Sequence, residues 1–297
     1  MVRRGVMRSS LLSVVDLLIY VLLICLALLT LLPILHVFSV SLSSSQTVLA
    51  SKLMLYPKEP TLESYKFIFR NDVLLRSLGI TVFITVVGTF LNLLFTTTAA
   101  YVLSRRDLPG AAFFLMMIVV TMLFSAGIIP GYMLIRSLGL INSVWAMILP
   151  GLISAFNLIL MRNFFWSVPE GLIESARIDG AGEVRTLVQI MLPLSLPALA
   201  TIGLFYAVGH WNEFFRGIFY MTDSKKWPLQ VLMRSIIAQA DMNELGLSNQ
   251  QVYQGGKLNV LTIQSATIIA ATMPILAVYP FLQKYFVRGI LIGAVKG

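Results

Sequence analysis

The sequence predicts an all-α fold: a polytopic integral membrane protein with about six transmembrane helices. Three observations carry that reading. Of 297 residues, 58% are hydrophobic and only 12% are charged, where a soluble domain carries about 25% charged residues. The mean hydropathy is +0.86. The apolar residues are gathered into runs of about 20, the length that crosses a bilayer core as a helix. The net charge of +9 then reads as basic residues that flank spans and face anionic headgroups. No basic stripe interleaved with aromatics argues for nucleic acid.

Taken in chain order, the runs fall at 17–40, 78–103, 111–135, 144–165, 194–220 and 262–286. The opening "MVRRGVMRSSLL" resembles the basic flank of a signal peptide, but the apolar run behind it is too long for a signal core, so it reads as a retained first helix. The small-residue stretch "VLAS" ending at Ser51 lies too far beyond that run to be its cleavage site. Arg3, Arg4 and Arg8 place the N-terminus in the cytoplasm. Six spans then put the short loop 104–110, with Arg105 and Arg106, and the C-terminus on the same side. Lys and Arg otherwise divide evenly between the two sides, so the first helix and that short loop carry the orientation. Gly and Pro within the later spans point to helices packed on neighbours or on a cavity, because backbone exposed to lipid must stay hydrogen-bonded.

The organisation is therefore an N-terminal tail, first helix and outer loop over 1–77, and a transmembrane core over 78–286. That core is interrupted by a charged segment at 167–193 and an outer loop at 221–261, and a tail follows at 287–297. No repeat relates the two halves, as it does in many self-sufficient carriers.

The charged segment is the exception that needs an explanation. "IESARIDGAGEVRTLVQIMLP" concentrates Glu174, Arg177, Asp179, Glu183 and Arg185 between two oily runs. Ser167 followed by Glu170 reads as a capping box, with Pro169 in the first helical turn. Leu172, Ile173 and Ala176 form an apolar stripe on the helix that follows, and Gly180 suits its stop. A second helix is predicted after Gly180, with Val184, Leu187, Val188 and Met191 on one face, separated from the fifth span by Pro193 and Pro197. The result is a helix–turn–helix bracket, too charged to cross lipid. The residues alone leave two readings open: a pair of helices lying on headgroups or covering the protein's own helices, or a surface on which a partner docks.

At this point the chain resembles a known family. "ESARIDGA" followed by "IMLP" is similar to the EAA motif of bacterial ATP-binding-cassette importer permeases, E-A-A-x-x-D-G-A with its Gly ten residues before I-x-L-P. Glu174, Ala176, Asp179, Gly180, Ala181, Ile190, Leu192 and Pro193 fill its positions, and Ser175 stands where the family has Ala. "GHWNEFF" (209–215) and "FLQKYFVRGILIGAVKG" (281–297) resemble the shorter permease of carbohydrate importers, the second permease of the maltose transporter family. The likeness covers essentially the whole chain. It implies a type I importer permease fold in the bacterial inner membrane, with the bracket as a coupling helix. The implied partners are a second permease in a heterodimeric pore, two copies of a cytoplasmic ATPase and an external solute-binding protein. Details of "WPLQVLMRSI" (227–236) resemble the subgroup linked to acidic, uronate-containing oligosaccharides.

The chemistry of the residues agrees with transport. There is no G-x-x-x-x-G-K-[ST] phosphate loop, so this chain should bind no cofactor, and ATP and Mg belong on the partner ATPase. Cys25 is the only cysteine, and His36 and His210 are the only histidines. Neither a metal set nor a nucleophile–base pair emerges, which argues against the rival of a membrane enzyme. The other rival, an importer for a polyamine or peptide, is opposed by the tail and the "HWNEFF" segment. A sugar path needs amides or hydroxyls beside aromatic rings, and Asn92, Thr96, Asn157, Trp211, Asn212 and Glu213 are the candidates. Each also has a plain structural reading as helix–helix glue or interfacial anchor. Arg136, Arg216 and Arg234 are available for an acidic substrate, or simply as anchors.

Overall fold

The computed structural model describes residues 6–51, 53–70, 72–124, 126–244 and 259–294. Among them there is no strand, only an isolated bridge between Ser43 and Pro60. The helices are α1 (Val6–Ser41), α2 (Ser45–Ala50), α3 (Glu63–Arg70), α4 (Asp72–Leu103), α5 (Ala111–Leu123), α6 (Ile128–Ser137) and α7 (Trp145–Ile148). They continue as α8 (Ala155–Trp166), α9 (Glu170–Ile178), α10 (Glu183–Thr186), α11 (Leu192–Leu194), α12 (Leu196–Trp211), α13 (Phe215–Tyr220), α14 (Leu229–Glu244) and α15 (Val260–Ala294). The chain divides into two compact units, one of Met1–Asn71 with Ser235–Thr272, the other of Asp72–Arg234 with Met273–Gly297.

In the first unit, α1 is apolar on all sides, and none of its Val15–Ser41 stretch's most hydropathic window is buried. A helix apolar all round belongs in lipid or against other membrane helices. Its outer end is tied down by local bonds. Met54 N donates to His36 Nδ1 at 3.1 Å, Ser41 and Tyr65 hydroxyls meet at 2.9 Å, and Val40, Val48 and Met54 make a small core. Glu59, with a left-handed φ of 49°, accepts from Ser44 Oγ and Thr47 Oγ1 at 2.7 Å each. Those two hydroxyls, Ser44 first, hold its carboxyl below the usual range.

The second unit is organised by α4. Ser77, Thr81, Ile84, Gly88, Asn92, Thr96 and Ala100 are buried along it at intervals of three and four, which places them on one face. The face is small and polar, which is how membrane helices approach closely and bond across the gap. A Cβ on Gly88 would lie 2.5 Å from His210 Nε2, so only glycine lets the imidazole of α12 in. Apolar packing closes both ends of the unit. Tyr101, Met161, Phe165, Met191 and Tyr206 belong to one cluster, and Ile84, Ile135, Met147, Ile148 and Met221 to another.

By length and composition three helices cross a membrane, or six if each bent pair is one span. The six predicted runs are therefore present, but three of them are broken. The run at 111–135 is α5 and α6, separated at Gly127, whose φ is 84°. The run at 144–165 bends by 51° between Trp145–Gly151 and Ala155–Trp166. The run at 194–220 ends as α12 at Trp211, and α13 follows as a separate short helix. Apolar length could not reveal these breaks, because the linking residues are themselves apolar. The freed backbone groups are satisfied from neighbouring helices, as lipid requires. Asn92 Nδ2 donates to Gly151 O at 2.7 Å and to Leu152 O at 2.8 Å, and Tyr206 Oη accepts from Ser154 N at 3.0 Å. Residues 287–294, expected as tail, continue α15 as helix to Ala294.

Candidate functional site

The bracket follows α8. Its first turn is not a capping box: α9 starts at Glu170 with Pro169 at the cap and no side-chain cap bond. Ser167 instead closes α8, its Oγ donating to Phe164 O at 2.7 Å. The preceding helix claims the hydroxyl that the spacing had assigned to the next one.

The end of α9 explains the motif in backbone terms. Gly180 has φ +80°, Gly180 N donates to Arg177 O at 3.0 Å, and Ala181 N donates to Ala176 O at 2.9 Å. These are the paired 5→2 and 6→1 bonds of a Schellman stop, which needs a left-handed residue at the position of the glycine. Ala176 is buried, so the stop is also pinned to the core by a side chain small enough to fit. Ser175 turns inward on its own helix, donating to Gly171 O at 2.8 Å. Glu174 and Asp179 are exposed. Beside them Ile178 is 86% exposed and Val184 is 77% exposed, an unusual state for aliphatic side chains at the tip of a charged turn.

The second arm begins with α10 and runs through one wide π-type turn, Leu187–Met191, into α11. The predicted apolar face is split. Leu187 and Met191 are buried, whereas Val184 and Val188 are exposed, because the wide turn shifts the register. Pro193 does not end the helix. A proline clashes with the carbonyl four residues back, here Gln189, which lies inside the wide turn where there is room. The break comes at Ser195, with an 86° bend between Glu183–Leu194 and Leu196–Trp211, and Pro197 starts α12. Ile190 and Leu192 are half-buried, and Pro193 is exposed.

Charged side chains bind the bracket to the loop after α4, a feature the sequence reading missed. Glu183 Oε2 accepts from Tyr101 Oη at 2.5 Å, and its Oε1 accepts from Arg105 Nη2 at 3.0 Å and Arg177 Nη2 at 3.1 Å. Asp107 reaches Arg105 at 3.7 Å and Arg177 at 3.6 Å. Arg106 pairs with Glu170 at 3.2 Å and lies 5.2 Å over the Trp166 ring. The alternating charges of "SRRD" were the available signal, but their partners lie about 80 residues away in sequence, beyond any local pattern. Beneath this network lies an open groove of about 420 Å³ lined by Tyr101, Val102, Leu108, Val184 and Leu187 among others.

The proposed substrate-path residues sit apart from the bracket. Asn92 is fully buried, and besides its two carbonyl bonds its Oδ1 meets His210 Nε2 at 2.6 Å. Thr96 bonds Tyr206 Oη at 2.7 Å. Asn157 is buried at the start of α8, where its backbone N meets Ser154 Oγ at 3.5 Å. Trp211 is buried, and its Nε1 finds no partner among the described residues. Asn212 is exposed and donates to Val208 O at 3.0 Å. Glu213 pairs with Arg216 at 3.0 Å, and Arg216 also donates to Met147 O at 2.9 Å. Arg136 and Arg234 are exposed. Among the described residues no group of three His, Cys, Asp or Glu could hold a metal ion.

The comparisons with known proteins fit this geometry. Residues 107–292 match the family described as binding-protein-dependent transport system inner membrane component. The chain is 46% identical over 287 residues to the polygalacturonan/rhamnogalacturonan transport system permease protein YtcP of Bacillus subtilis, covering 95% of this chain and 98% of that one. It is 45% identical over 268 residues to Protein LplC of the same species, covering 90% of each. Among solved structures it is similar, with a TM-score of 0.86 and 33% identity over 92% of this chain and 97% of the other, to a bacterial ABC transporter involved in the import of the acidic polysaccharide alginate. A multi-pass α-helical chain with this motif and this match belongs to the binding-protein-dependent transport system inner membrane components.

Proposed function

We propose that this chain is one permease of an ATP-driven importer and forms half of the membrane path for a uronate-containing oligosaccharide. The carrying observation is the 46% identity, over nearly its full length, to a permease named for polygalacturonan and rhamnogalacturonan. The likeness to the alginate importer points to the same substrate class. A second permease completes a heterodimeric pore, an external solute-binding protein delivers the sugar, and two cytoplasmic ATPase copies bind ATP and Mg. Both termini of this chain face the cytoplasm, and so does the bracket.

In this reading Glu174, Ser175, Ala176, Asp179, Gly180, Ala181, Ile190, Leu192 and Pro193 form the joint with the ATPase. Exposed Ile178 and Val184 give that joint its apolar centre, rimmed by the charges of Glu174 and Asp179, the anatomy of a protein interface. Asn92, Thr96 and Asn157 shape the path by holding its helices. Asn212 and Glu213, with Trp211 behind them, stand nearest to a sugar.

The test is reconstitution of the full complex in proteoliposomes with its binding protein. Galacturonate oligosaccharides should be taken up at the expense of ATP; uptake of a polyamine or peptide, with none of these sugars, would refute the assignment. In the same system Ile178→Asp should weaken co-purification of the ATPase and cut uptake by about tenfold or more, the loss expected at an interface anchor. Pull-down and uptake assays check it.

A further inference from the structure

An ATPase that pushes on the bracket must move helices outside it, and the structure provides one connection with a rigid continuation. Tyr101 and Arg105, at the end of α4 and in the turn after it, hold Glu183 at the start of α10. Arg177 joins from the end of α9, so one carboxylate gathers both arms of the bracket and the end of α4. Exposed ion pairs are individually weak. Here the Arg105 side chain is only 13% exposed, three donors converge on one carboxylate, and Asp107 closes the network from the other side. Such a network has more to lose than an isolated pair.

From Tyr101 the polar face of α4 leads outward. Thr96 bonds Tyr206, Asn92 bonds His210 and the bent backbone at Gly151 and Leu152, and Thr81 Oγ1 accepts from Leu229 N at 2.8 Å. Between Tyr101 and Thr81 the helix is unbroken, about 30 Å at 1.5 Å per residue. Displacement of its inner end therefore reaches α12, the bend before α8 and the start of α14 together.

We infer that Glu183 is the positioning residue that fastens the coupling bracket to α4, and that α4 is the rod that carries the bracket's motion to the remaining spans. This rests on the coupling role proposed above. Glu183 touches neither sugar nor nucleotide; it acts by keeping bracket and rod in step, so its loss should uncouple ATP hydrolysis from transport.

The experiment measures sugar transported per ATP hydrolysed by the reconstituted full complex, for Glu183→Ala, Arg105→Ala and the double variant. Each single variant should lower the ratio by about fivefold or more, the scale of a coupling free energy between sites. Because both remove the same link, the double variant should fall no further than the worse single one. Glu183→Gln, which keeps the Tyr101 bond but not the charge, should fall between wild type and Glu183→Ala, and it takes the place of Glu183→Ala in the cycle if that variant does not assemble. An unchanged ratio, or losses that multiply in the double variant, would overturn the inference. Cross-linking of Ile178→Cys to the ATPase in the same preparations separates the two readings. With the cross-link present, an unchanged ratio removes only the role of Glu183; without it, the coupling role and this inference fall together.

Discussion

Gly180→Val is expected to reduce sugar uptake by the assembled importer by about tenfold or more, with Gly180→Asn losing far less. Gly180 sits at φ +80° with open space where its Cβ would be, so the penalty is conformational and not a clash. A left-handed backbone costs an ordinary L-residue about 1–2 kcal/mol, and more for a β-branched one. Asn visits that region readily and is the second choice at such helix stops. Valine relieves its strain by undoing the Schellman bonds from Gly180 and Ala181, which frees Ile178, Asp179 and Ala181 to move. A docking tip that has lost its shape transmits little. Uptake in proteoliposomes checks the result; equal uptake by the Val and Asn variants would show that the left-handed stop is dispensable.

The second large effect is on stability. Asn92→Leu should destabilise the chain by about 2 kcal/mol if each of its interhelical bonds is worth the ~0.6 kcal/mol average for membrane proteins. The loss grows if the orphaned Gly151 and Leu152 carbonyls and His210 stay dry, since each unsatisfied buried group costs about 1–3 kcal/mol. The asymmetry supplies the control: Asn92→Leu combined with His210→Leu should lose less than the two single effects together, because removing both partners leaves fewer orphans. Thermal unfolding in detergent measures all three variants. A melting temperature for Asn92→Leu equal to wild type would show that the network holds nothing.

The parts of the molecule that the sequence revealed are those governed by local rules. Six apolar runs announced six crossings, because bilayer thickness fixes run length. Gly180 announced a helix stop, because only its backbone suits one there. The breaks at Gly127, near Ser154 and after Trp211 were hidden, because long-range partners such as Asn92 and Tyr206 satisfy the exposed amides and carbonyls without altering composition. The same distance hid the contacts of Glu183: Tyr101 and Arg105 are about 80 residues away, and nothing in "GAGEVRT" names them. The capping box failed for a different reason. Ser167 has two helices within reach, and the spacing could not say which would claim its hydroxyl.

The π-type turn at Leu187–Met191 has one further consequence. It houses one residue more than a regular α-turn would, so it works as a phase-setter between the docking tip and the membrane. Deleting a single residue there would let the helix rewind regularly, but everything downstream would arrive about 100° out of azimuth and 1.5 Å short. Pro193 would lose the slack that accommodates its ring, and Met191 would swivel away from Tyr206 and Phe165. A spare residue thus fixes the compass bearing at which α12 leaves the bracket.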